Sequence, residues 1–261
     1  MFRRILIPTD FSSASEWVFD DAVNIAGSSG AELLIVHVRR TWASSPDQLR
    51  FPADSSLYDY VEQQELERLR ERVRRANASV TTRLIVRKAS DVGEEIGRAA
   101  ADEKADLIVI ATHARHHVAH LLVGSTTMIV IEKPPAPVLA IRYGIRKRES
   151  IQRIVVPVHL QQTSHAALEL AVRAAQELHL IMVCKDDESA KAETHLRELA
   201  ARFSGPTIKT SVLRGSDIEK EVVRYADKQN ADAIFLNAGG QLSEGKLDII
   251  RNAPVPVMIV P

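Results

Sequence analysis

The residues best suited to chemistry are Gly124, Ser125 and Thr126, set just before a helical pattern over Thr127–Glu132. Glycine lets backbone approach a bound group, hydroxyls donate hydrogen bonds, and a helix start adds free N–H groups, a combination that suits an anion such as phosphate. The same tripeptide also reads as an ordinary cap and turn, so a ligand needs support from elsewhere in the chain. Upstream stand His113, His116, His117 and His120, and on a helix His113 with His117 and His116 with His120 would form i,i+4 pairs able to chelate a divalent metal. No nearby cysteine or carboxylate completes that set, so the expectation is a polar loop and no metal site. Asp10 could hold Mg²⁺ beside a phosphate, though it has no second carboxylate with it. Cys184, the single cysteine, ends the run LIMVC and reads as a buried, inert thiol. The chain carries no GxSxG, no P-loop GxxxxGKS/T and no nucleophile–base pair at a recognisable spacing, so no residue is assigned a catalytic role.

Elements of an α/β chain must position these residues. Short β-branched runs (ILIP, LLIVHV, TTRLIV, DLIVIAT, PVLAIR) alternate with helical stretches, which predicts parallel strands buried on both faces and joined by right-handed crossovers. Ser12 to Gly27 keeps apolar residues near helical spacing, with Gly27 and Gly30 expected to end the helix. Asp91 with Glu94, and Ser216 with Glu219, have N-cap and N3 character. A loop rich in Ser, Pro and Asp runs from Trp42 to Tyr60, and a charged helix over Val61–Asn77 reads as a solvated face. In open parallel sheets ligands bind beyond the carboxyl ends of the strands. That places Pro8, Thr9 and Asp10, then His37 and Val38, and the loop that begins Ala111-Thr112 and reaches Gly124, around one candidate site.

The chain also contains itself twice. Pro8 of ILIPTD answers Pro157 of IVVPVH at an offset of 149, ADLIVIA answers ADAIFLN at 126, and Pro137 answers Pro256 at 119. The order is kept while the offset shrinks, so the second copy is shorter by about 23 residues in mid-domain and about 7 later. The expected division is 1–143, a short basic linker over 144–150, and 151–261. The last strands of the copies, PVLAIR and PVMIVP, are apolar edges expected to pair with each other. In copy two His159 stands at the Asp10 position, the loop from Asn237 is shorter, and Glu244 puts negative charge where a phosphate would lie. Copy two therefore reads as structural.

Composition narrows the function classes. Basic and acidic residues balance at 34 each, and copy one holds 18 against 19, so neither half hides a nucleic-acid patch behind a compensating partner. No apolar run reaches membrane-spanning length, the opening MFRRILIPTDF is too short for a secretory signal, and one cysteine forms no intrachain disulfide. The expectation is a cytoplasmic protein acting on a small ligand or another protein, with no membrane and no nucleic acid.

The string ATHAR…LLVGSTT followed by a helix and APVLAIR, together with ILIPTDFS and LLIVHV, resembles the universal stress protein family. The resemblance spans essentially the whole chain, strongly in copy one and weakly in copy two. It implies two tandem open parallel-sheet domains, Rossmann-like and adenine-nucleotide-binding, forming an intramolecular pseudo-dimer. Nucleotide-binding members carry Gly-x2-Gly-x9-Gly-Ser/Thr around the triphosphate, with a strand-one aspartate and a strand-two valine at the adenosine end. Carried over, these fall on Asp10, Val38, Ala111, Ala114, Gly124 and Ser125, with His113 beside the nucleotide. Two of the three glycines are thus alanines. If the backbone at Ala114 needs a positive φ, the methyl group costs about 1–2 kcal/mol, enough to weaken a site without abolishing it.

Three readings follow. In the first, ATP, with or without Mg²⁺, binds copy one, orders its loop and alters a surface read by a protein partner in a stress response. In the second, the chain is an interaction or scaffold module that uses no nucleotide, as family members lacking the glycine motif are. The third, a slow ATPase or nucleotide-dependent transferase, has no specific residue in its favour. Association of two chains into a homodimer is left open by the sequence.

Overall fold

The computed structural model describes residues 2–41, 55–112, 123–145, 150–160, 165–239 and 242–261. The first half runs β1 (Arg4–Thr9), α1 (Ser13–Trp17), α2 (Phe19–Ser29), β2 (Glu32–Arg40), α3 (Ser55–Ala76), β3 (Thr82–Ala89), α4 (Val92–Asp102), β4 (Leu107–Ala111), α5 (Ser125–Glu132) and β5 (Val138–Ile141). The second half repeats the order, with one described helix where α1 and α2 stand, in β6 (Arg153–Pro157), α6 (Ala166–Ala174), β7 (Glu177–Cys184), α7 (Ser189–Ala200), β8 (Thr207–Arg214), α8 (Ile218–Lys228), β9 (Ala233–Asn237), α9 (Glu244–Asn252) and β10 (Val257–Val260).

All ten strands form one sheet in the order β3-β2-β1-β4-β5-β10-β9-β6-β7-β8. Central strands are continuous apolar runs because helices cover both of their faces, and Ile5, Leu6 and Ile7 are wholly buried in succession. The outermost strands β3 and β8 are more exposed and carry Arg83, Arg87, Lys88, Lys209 and Arg214, charges that guard an open edge against further pairing. Within each half the pairings are parallel. The halves meet where β5 and β10 pair antiparallel, with Val138 opposite Ile259, Leu139 opposite Met258 and Ala140 opposite Val257. Equivalent apolar edges brought together by a pseudo-two-fold must run in opposite directions, so the pseudo-dimer expected from the sequence is this seam. Two hydrophobic cores, one on each face of the sheet, both draw residues from the two halves.

Local structure departs from expectation in three places. The helix predicted from Ser12 is two helices: Ser12 caps α1 by accepting from the Ser15 N–H, and the chain breaks at Val18 before α2. Gly27 does not end α2 but lies within it, where an added methyl group would collide with Asn77 at the end of α3; the stop is Gly30, left-handed at φ 66°. The charged helix α3 is more than a solvated face. It buries Leu66, Leu69 and Val73, and its outer charges are tied to neighbours through Arg39–Glu62, Arg68–Glu16 and Arg72–Asp20 pairs.

Candidate functional site in the first half

β1 ends in a small hydrogen-bonded hook. Thr9 is nearly buried, its Oγ1 accepts the Phe11 N–H at 3.0 Å, and it lies 3.3 Å from Ser15 Oγ. The Asp10 carboxylate accepts the Ser12 N–H at 3.0 Å, which turns the chain into α1 and brings Phe11 to a left-handed φ of 58°. Pro8, Thr9 and Asp10 are thereby fixed at the carboxyl end of the strand. Next to them β2 contributes Val36 and Val38, and His37 hydrogen-bonds through Nδ1 to the Thr9 carbonyl at 2.8 Å, locking the two strand ends together.

The opposite wall is β4 and the start of α5. Thr112 is buried, donates its N–H to Ile141 O at 3.0 Å and accepts the Gly124 N–H at 2.9 Å. Thr127 Oγ1 donates to Ala111 O at 2.8 Å, so the first turn of α5 is fastened to the end of β4. Gly124 is the N-cap of α5 and brings no side chain to accept from the first-turn N–H groups. Its φ of −59° is one any residue adopts, and among the described residues an added methyl group would meet only Thr112 O at 3.8 Å. Glycine here is not required by backbone conformation or by packing against the described residues.

Together these elements enclose a cleft of about 180 Å³. Of the residues singled out in the sequence, it gathers Pro8, Thr9, Asp10, Val38, Ala111, Gly124, Ser125 and Thr126. Thr112 holds the wall from behind instead of lining it. His113 and Ala114, with the rest of the histidine cluster to His120, lie outside the described residues. The sequence reading missed Ser12 and Ser15, which follow from the cap motif after Asp10, and the apolar pair Val92 and Ile96 at i,i+4 on α4. It also missed Thr127, whose hydroxyl role could not be told from the first turn of any helix. Among the described residues no group of three or more His, Cys, Asp or Glu is placed to hold a metal.

The corresponding place in the second half is chemically different. Lys246, at the position of Thr127, turns its ammonium onto Ala238 O at 3.0 Å, and burial pulls its pKa below the ordinary lysine value. His159, at the Asp10 position, is pushed below the usual imidazole range by burial and then by the nearby Lys246 charge. The negative charge expected at Glu244 is turned aside, since Glu244 accepts from Arg251 at 2.5 Å. Glu219 takes its place, because a methyl group on Gly245 in the first turn of α9 would collide with its carboxylate. The start of α9 also has a side-chain cap, Ser243, where α5 has none.

Doubly wound sheets with helices on both faces, and a cleft beyond the carboxyl ends of the strands bounded by a helix N-terminus, define a class of open-sheet α/β proteins. Within that class the family can be given: a profile of the universal stress protein family matches residues 1–142, and the chain belongs to that family. A universal stress protein of Thermus aquaticus is 34% identical over 146 residues, covering 54% of this chain and 100% of the relative. One from Methanocaldococcus jannaschii is 27% identical over 157 residues, covering 54% of this chain and 96% of the relative. The fold of the whole chain is similar to that of a universal stress protein from Archaeoglobus fulgidus, with a TM-score of 0.76 at 22% identity, covering 98% of this chain and 95% of the other. A functionally unknown protein from Pseudomonas aeruginosa matches with a TM-score of 0.67 at 15% identity, covering 99% of this chain and 92% of the other. No helix among the described residues is long and apolar enough to cross a membrane.

Proposed function

We propose that this chain binds an adenine nucleotide, ATP with or without Mg²⁺, in the cleft of its first half and acts as a nucleotide-dependent sensor in a cytoplasmic stress response. The observation that carries the reading is the uncapped start of α5 at the head of the cleft, with Ser125 and Thr126 hydroxyls beside it. Unsatisfied N–H groups and the positive end of the helix attract phosphate, and Gly124 leaves backbone open to it. Asp10 and Val38, across the cleft, suit the ribose and the base, the aspartate as hydrogen-bond acceptor and the valine as apolar contact. In the same proposal 1–143 is the binding domain, 144–150 a linker, and 151–261 a domain with a closed site, its helix start occupied by Ser243, Lys246 and Glu219.

A nucleotide-independent interaction module is the second reading, favoured by the alanines at 111 and 114. Calorimetric titration of the full chain with ATP and Mg²⁺ separates the two. The expected result is one nucleotide per chain, with affinity falling about tenfold or more in Gly124→Val, equivalent to about 1.4 kcal/mol. Absence of heat at high protein concentration supports the interaction module instead. Release of ADP that disappears in the same variant would establish hydrolysis.

A further inference from the structure

We infer that the seam between the two halves holds a second ligand site, which takes a small amphipathic carboxylate such as a medium-chain fatty acid anion. On one face of the sheet α2 lies over β1 and β2, while α6 lies over β6, β9 and β10, and no described helix bridges the space between them. A cavity of about 390 Å³ remains there, about twice the volume of the first-half cleft. It opens toward the amino-terminal ends of the strands, where Phe2 and Ile151 lie, away from the cleft at their carboxyl ends.

The lining selects the ligand. The floor is Leu107, Leu139, Ile141, Phe235 and Met258, each at most 2% exposed and drawn from both halves. Such a floor accepts hydrocarbon and offers nothing to a sugar or a phosphate. The mouth is polar: Asn24 and Ser28 stand on the α2 side, Arg173 and Gln176 on the α6 side. Arg173 forms no ion pair with a described residue, whereas Asp21 on the opposite wall is already engaged. A guanidinium with no ion pair among the described residues, beside an apolar cavity, matches a carboxylate head on an alkyl tail, and its planar fork can hold both oxygens. A ligand seated there touches both halves at once and strengthens their pairing by mass action.

The test is titration of the full chain with hexanoate, octanoate and decanoate below their micellar concentrations, followed by calorimetry and by NMR. One site per chain is expected, with affinity rising about fourfold per added methylene until the cavity is full. Arg173→Glu should weaken octanoate about tenfold and leave 1-octanol unchanged, which separates head-group recognition from apolar partition. Ala174→Trp and, from the facing wall, Ile25→Trp should each fill the cavity and remove binding of acid and alcohol alike, with the far-ultraviolet circular dichroism retained. The site is refuted by the absence of saturable binding up to millimolar acid, or by binding that survives both tryptophan variants. Loss of binding in Gly124→Val with retention in Ala174→Trp would also refute it, because the acid would then occupy the first-half cleft.

Discussion

Gly93 shows how closely a single residue can control the cleft. It sits where α4 crosses α5, and a methyl group there would come within 2.6 Å of Ile129 Cβ and 3.0 Å of Thr126 O. Gly93→Ala should therefore push the first turn of α5 away, destabilising the protein by about 1–3 kcal/mol and weakening any ligand held by that turn. Urea denaturation of the variant measures the first effect, and ATP titration the second. The counterpart of Gly93 in the second half is Glu219, which occupies the space above Gly245. A second residue-scale prediction concerns Glu177, whose carboxyl is held down to about 2 by hydrogen bonds from His179 and Lys209 and by Arg153. Its folded value lies below its unfolded value of 4.5, so its contribution is full above that pH and is lost as pH falls toward 2. Glu177→Gln keeps an acceptor for the His179 ring but removes the charge, and should cost about 1–2 kcal/mol at neutral pH. Between pH 4.5 and 2 the stability of the variant should fall less steeply than that of the wild type, as read from thermal midpoints. The place of Asp10, Val38 and Gly124 on the cleft was legible in the sequence because positions near the carboxyl end of a strand or before a helix gather at that end of a parallel sheet. Lys246 and Glu219 were not, because what each touches depends on side-chain direction across two helices and leaves no mark in spacing.

At the level of elements, local rules and tertiary packing can be separated by comparing the two halves. Asp91 and Asp217 cap α4 and α8, each accepting the N–H three residues on, at 2.9 and 3.1 Å. Substituting Asp91 by alanine should cost about 1 kcal/mol, and Asp217→Ala should destabilise in the same direction while also removing the pair with the Lys220 ammonium. A markedly smaller loss for Asp217→Ala in denaturant titration would show that Ser216 takes over the cap, as its spacing to Glu219 suggests. The sequence reading put this cap on Ser216; the N-cap of α8 is instead Asp217, with extended backbone at φ −110° and its carboxylate accepting the Lys220 N–H. Four strands of the first half, β1, β2, β4 and β5, were readable to within two residues at each end, as continuous β-branched runs have few alternatives, whereas TTRLIV stops three residues short of the end of β3 and the exposed edge strand β8 was not read. The break at Val18 and the helical position of Gly27 were hidden for the opposite reason. Gly27 makes room for Asn77 fifty residues away, and the break at Val18 follows a five-residue α1 whose Ser15 lies against Thr9 at the strand end.

The whole molecule is held together by a seam of three residue pairs in the sheet and two cores that run across it. Each half alone would present an apolar edge strand, and Val138, Leu139, Val257 and Ile259 would lose their cover, so neither half gains by separating. The chain should then unfold as one unit despite its internal repeat. Both tryptophans, Trp17 and Trp42, lie in the first half, so fluorescence follows that half while far-ultraviolet circular dichroism follows both. In urea the two signals should give one coincident transition; a second-half transition displaced from the fluorescence curve would show the halves to be independent. Ile259→Asp tests the cause. The side chain is wholly buried opposite Val138, so an unpaired carboxylate there should cost about 3 kcal/mol or more, and the loss falls on the seam strand of the second half. The expected result is a splitting of the two signals, dichroism beginning to change at lower urea than tryptophan fluorescence. If the two curves instead move together by the full amount, the cores alone couple the halves and the β5–β10 pairing is dispensable to their cooperativity.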